Sequence, residues 1–61
     1  MLLSEFRIGD RIRNGAWYQY PELSFTVIFI DIEGTYFGIM NDGTGDSFHE
    51  DEHPEHYWEL V

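Results

Sequence analysis

His49-Glu50-Asp51-Glu52-His53 is the one stretch of this chain whose residue types and spacing resemble a catalytic centre. It matches the H-E-x-x-H pattern, in which two histidines one helical turn apart hold zinc and the glutamate acts as a base. That chemistry needs a rigid helix and a third ligand. Here Pro54 follows directly, Gly45 stands just upstream, and Glu50-Asp51-Glu52 would repel itself along a helix. A chain this short also has no room for a substrate cleft, so the match reads as coincidence in a Glu- and His-rich segment. At most, His49, His53 and His56 would bind Zn²⁺ or Ni²⁺ adventitiously. The same histidines could sense pH. Neighbouring carboxylates would raise their pKa, a stabilisation present at low pH and lost as pH rises through the folded value. A solvated loop accounts for them more simply. No nucleophile–base pair, phosphate-binding glycine loop or closed metal set occurs elsewhere, so neither enzymatic activity nor a cofactor is expected.

Two other groups of residues suit binding. Trp17, Tyr18 and Tyr20 crowd into four positions beside Pro21, more ring surface than a small core absorbs, so some should be exposed as interface anchors. Tyr36 and Phe48 could lie near them, with Asn41, Asp42 or Asp46 supplying a polar partner in an aromatic cage. The second group is the acidic run Asp42, Asp46, Glu50, Asp51, Glu52 and Glu55. All three basic residues, Arg7, Arg11 and Arg13, lie near the start, where Glu5, Asp10 and Glu22 balance them. The other nine acids all follow residue 24, so the whole net charge of −9 sits in residues 25–61. Direct nucleic-acid binding is disfavoured, because it rests on cations neutralising phosphate. A protein partner with a basic surface is favoured, met under electrostatic steering. Carboxylates spaced along a strand edge and loop could fill the Lys/Arg groove of a nucleic-acid-binding protein, imitating its ligand.

These groups need a scaffold, and 61 residues without cysteine make one domain near the lower size limit for folding unaided. Aromatic residues, 18% of the chain, supply the bulk for a core. The organising stretch is residues 25–42. Residues 25–32 are β-branched and aromatic, too short for a helix, and apolar on both faces, which predicts a strand that bends between two sheets. Asp31-Ile32-Glu33-Gly34 reads as a turn, residues 35–40 as the returning strand, and Gly38 as a bulge or close contact. Residues 6–13 read as an opening strand with a kink or tight turn at Gly9-Asp10. Residues 16–23 read as a ring-rich loop, Asp42-Gly43 as a type I′ turn, 46–49 as a short edge strand, 50–56 as a loop and 57–61 as a last strand. The opening Met-Leu-Leu, followed by Ser4-Glu5, is too short for a signal peptide, and no membrane span is indicated. A cytoplasmic protein is the default expectation.

Five short strands without repeats predict an all-β fold, a small barrel or rolled sheet. Phe6-Arg7-Ile8-Gly9-Asp10-Arg11-Ile12-Arg13 resembles the first strand of SH3-like barrels, Tudor-type modules included, whose openings often read F-x-x-G-D-x-V. Asn41-Asp42-Gly43 and Tyr57-Trp58-Glu59-Leu60 resemble their later turn and last strand, especially in small phage-encoded domains. The resemblance implies a five-stranded SH3-like barrel over residues 1–61. It also implies an accessory or inhibitor protein whose acidic face binds a basic surface on a host or defence protein. The alternatives are an adaptor whose aromatic loop recognises a peptide or modified side chain, and a structural subunit of a larger assembly.

Overall fold

The computed structural model describes residues 1–51 and 57–61. Five strands form: β1 (Arg11–Asn14), β2 (Phe25–Ile30), β3 (Thr35–Met40), β4 (Gly45–His49) and β5 (Trp58–Leu60). They make one antiparallel sheet in the order β4-β3-β2-β1-β5, so the chain is all-β as its patterning predicts. The hydrogen-bonded ladder is open, with β4 and β5 as its edges. Among the described residues the helical elements are two short 3₁₀ turns, Leu3–Glu5 and Gly15–Trp17.

The β2–β3 hairpin forms where expected. Asp31 Oδ1 accepts from the Glu33 and Thr35 N–H groups, each at 2.9 Å. The Gly34 N–H donates to the Asp31 carbonyl at 3.2 Å, and Gly34 takes a φ of +91° that side chains resist. β2 belongs to a single sheet and does not pass between two as expected; its irregularity is a register shift, in which Val27 pairs with Gly38 and Phe29 with Phe37, leaving Ile28 as an extra residue. Gly38 is the expected close contact, since a Cβ there would stand 2.1 Å from the Thr26 carbonyl oxygen and 2.6 Å from the Phe25 ring.

Three further expectations need correcting. Residues 6–13 do not run as one strand. Leu3–Glu5 coils, and a turn at Arg7 to Asp10 follows, closed by the Arg7 N–H on Asp10 Oδ2 at 2.8 Å, before β1 begins. Leu3 and Phe6 from this segment are buried, which a purely extended reading missed. The β3–β4 turn is not type I′, which needs positive φ at two successive residues. Only Gly43 is positive, at +92°, and its N–H donates to the Met40 carbonyl at 2.9 Å. The geometry is a type I turn closing on a glycine bulge. The last strand is also shorter than residues 57–61.

The core is Leu3, Phe6, Ile12, Phe25, Val27, Tyr36 and Trp58, with Trp17, Ile30, Met40 and Phe48 packed against it. The sheet rolls so that its edges approach through side chains: the Phe48 ring on β4 lies 5.2 Å from the Trp58 ring on β5. The β5 edge is also tied to the start of the chain. The Met1 amino group donates to the Trp58 carbonyl at 2.7 Å, and the Trp58 N–H to the Met1 carbonyl at 3.2 Å.

The two glycines at Gly38 and Gly43 separate packing from backbone strain. Gly38→Ala should destabilise the fold by about 3 kcal/mol, because both atoms it meets belong to packed elements. Gly43→Ala, with open space around its Cβ, should cost about 1 kcal/mol for its backbone conformation alone. Urea unfolding of the two variants checks the ranking, and equal losses would contradict the packed contact at Gly38.

Candidate functional site

The described part of the acidic run follows one sheet edge, spaced along a strand and its turns as expected. Asp42 stands in the β3–β4 turn, where its Oδ1 accepts from both the hydroxyl and the N–H of Thr44, the latter at 2.9 Å. These bonds, the hydroxyl first, hold its carboxyl below the ordinary range. Asp46, exposed on β4, accepts the Ser47 N–H at 2.8 Å. Glu50 and Asp51 lie at the far end of the strand. The Glu50 N–H donates to the Gly34 carbonyl at 2.9 Å, and its side chain lies against Gly34. Burial, and then the Glu50 charge, push the Tyr36 hydroxyl above its ordinary pKa. Asp31 and Glu33 of the β2–β3 turn therefore join this end, which a reading of Asp31 as a turn former alone did not foresee. Glu52 and Glu55 lie outside the described residues.

The H-E-x-x-H stretch begins at the end of β4 and continues into a turn, so His49, Glu50 and Asp51 do not start a helix. His49 is held at both nitrogens: Nε2–H donates to the Glu33 carbonyl at 2.8 Å, and Nδ1 accepts the Asp51 N–H at 3.1 Å. His53 and His56 lie outside the described residues, so the three-histidine readings extend beyond them. Among the described residues no group of three His, Cys, Asp or Glu side chains could hold a metal.

The ring-rich loop divides by position. Trp17 is half-buried, its ring 5.7 Å from Trp58 and 6.0 Å from Phe48, so it belongs to the core's flank. Tyr18 is 77% exposed and Tyr20 57%, as expected of a loop too rich in rings to bury. With Trp17, Pro21 and Leu23 they line a recess of about 260 Å³ against the end of β1. Its charged lining is Arg13 and Glu59, an ion pair at 2.8 Å, and not the expected Asn41, Asp42 or Asp46. Asn41 instead accepts the Ser24 N–H at 3.1 Å, and Tyr36 is buried with its hydroxyl 3.3 Å from the Phe6 carbonyl oxygen. The buried Asn14 also lines the recess. Its Oδ1 accepts the Ala16 N–H at 2.8 Å, and its Nδ2 has no acceptor among the described residues.

A third surface escaped the sequence reading. The bulge in β2 turns both Ile28 and Phe29 outward, at 53% and 55% exposure, and returns Ile30 to the core side. Phe37, whose ring is 6.0 Å from that of Phe29, and Ile39 extend this strip along β3. An apolar run on both faces carries no signal of which residues face out, because one bulge reverses the phase.

Comparison of the chain with protein-family models, with curated proteins and with solved structures finds no match. Among the described residues no helix is long and apolar enough to cross a membrane.

The Asp42 turn yields a pH test. A carboxyl held below its ordinary pKa stabilises the turn above that ordinary value, and the effect is lost as pH falls through the depressed one. Thr44→Val removes the hydroxyl donor and should move the Asp42 titration upward, read on its carboxyl carbon by NMR. An unmoved midpoint would show that the hydroxyl does not hold the carboxylate.

Proposed function

We propose that the chain is a non-enzymatic protein-binding module, an SH3-like roll whose acidic edge meets a cationic surface on another protein. The observation that carries the binding reading is charge segregation. Residues 25–61 hold nine acids and no Lys or Arg, and they include β2, β3, β4 and β5. Two of the arginines lie on the neighbouring β1: Arg13 is paired with Glu59 at 2.8 Å, and the Arg11 Nε–H donates to Ser24 Oγ at 3.0 Å. A surface of this sign attracts cationic partners over roughly 10 Å at moderate ionic strength and repels nucleic acid and anionic membranes. The fold reading draws support from the strand order, in which four strands meander and β5 returns beside β1. The Phe48–Trp58 contact across the open edge supports it further. An inhibitor that occupies a basic groove on a host or defence protein, in the manner of a nucleic-acid mimic, is the specific role proposed.

A second reading, an adaptor that binds a peptide or modified side chain, is favoured by the recess. Exposed Tyr18 and Tyr20 stand around it, and Asn14, whose Nδ2 has no acceptor among the described residues, is part of its lining. Salt and mutation separate the two. Partners captured by the immobilised chain at low ionic strength should be released as the screening length shrinks to about 3 Å near 1 M salt. They should also be lost on the combined change Asp46→Asn, Glu50→Gln and Asp51→Asn. Capture that survives both, yet fails with Tyr18→Ala and Tyr20→Ala, would replace the acidic-edge reading with the recess.

A further inference from the structure

The outward strip on β2 and β3 has a defined frame. Its apolar residues are Ile28, Phe29, Phe37 and Ile39, all exposed. One end meets the β2–β3 turn with Asp31 and Glu33, and the other meets the β3–β4 turn with Asp42, so acids bound it at both ends. On its flank, Arg11 pairs in register with Thr26, and its Nε–H donates to Ser24 Oγ at 3.0 Å. Contiguous exposed rings of this kind mark interaction surfaces more often than isolated apolar side chains do.

We infer that this face docks an amphipathic helix of a partner protein, its apolar stripe on Phe29 and Phe37 and its Lys or Arg residues facing the acidic turns. The inference rests on the proposed cationic-partner reading and adds the apolar contact and the partner's form. Helices cover sheet faces throughout protein architecture. A six-residue strand spans about 20 Å, the length of a helix of roughly 13 residues. A second copy of the chain does not fit. Whichever way round it lay, acidic turn would meet acidic turn, between molecules that each carry a net charge of −9. Anionic lipid and nucleic acid are disfavoured by the same charge.

The test uses a synthetic Leu/Lys amphipathic helical peptide and a control with every Leu replaced by Ser. Both are titrated into the ¹⁵N-labelled chain by NMR and by calorimetry. The Leu/Lys peptide should shift the amides of β2 and β3, and Phe29→Thr with Phe37→Thr should weaken it by at least about tenfold. The chain's own thermal melt controls for folding, and the shift map of the unaltered chain decides the matter if the double variant unfolds. If the Ser control binds as tightly and the double variant changes nothing, the docking face is overturned while the cationic reading stands. If neither peptide binds, both are overturned. Shifts confined to Tyr18 and Tyr20, or self-association through Phe29 and Phe37 in sedimentation, would also overturn the inference.

Discussion

β4 and β5 are the two edges of the sheet and are not paired with each other in the ladder, so what draws them together is the packing of aromatic rings. Phe48 from one edge meets Trp58 from the other at 5.2 Å, Phe25 from the central β2 at 5.0 Å, and Trp17 from the β1–β2 connection at 6.0 Å. Most of these pairs meet edge to face, the arrangement that ring quadrupoles favour. In a chain with no disulfide, each buried ring removes about 150–250 Å² from water, more than any other residue type could supply in so short a sequence. The roll therefore depends on side chains where a closed barrel would depend on backbone pairing.

That dependence shapes both sides of the sheet. On the inside, Gly38 leaves room for the Phe25 ring, and Val27 and Tyr36 fill the space beside it. On the outside, the bulge at Ile28 places apolar side chains where alternation would put only every second one. Because Trp17 is committed to the flank of the core, the exposed rings among the described residues are Tyr18, Tyr20 and Tyr57, together with the Phe29–Phe37 pair. The acids lie around these surfaces at the turns, where Asp31 and Asp42 also close the backbone.

What could be read from the chain alone follows from local rules. β-branched and aromatic runs gave β2 and β3, and Asp-x-x-Gly gave the turn between them, because strand packing and positive φ are decided within a few residues. The ring-rich loop announced exposed aromatics by excess of bulk. Phase was not legible. Nothing in Val27-Ile28-Phe29-Ile30 marks which residue is the extra one, since the register is set by pairing with β3. The short edge strand between Asp42 and Glu50 was legible, but not that the β2–β3 turn brings Asp31 and Glu33 to the Glu50 end. That is a consequence of topology. The type I′ assignment failed because Asp-Gly fits two turn geometries, and the hydrogen bond from Gly43 to Met40 selects the other.

The contact across the open edge is the claim on which the fold, the recess and the outward strip all rest. Nuclear Overhauser effects between the Phe48 ring protons and the Trp58 indole protons test it directly. The account predicts strong cross-peaks between these two residues, ten positions apart in sequence and on strands with no ladder between them. Their absence, with each ring showing contacts only to residues on its own neighbouring strands, would mean that the sheet lies open and that its interior has been assigned wrongly.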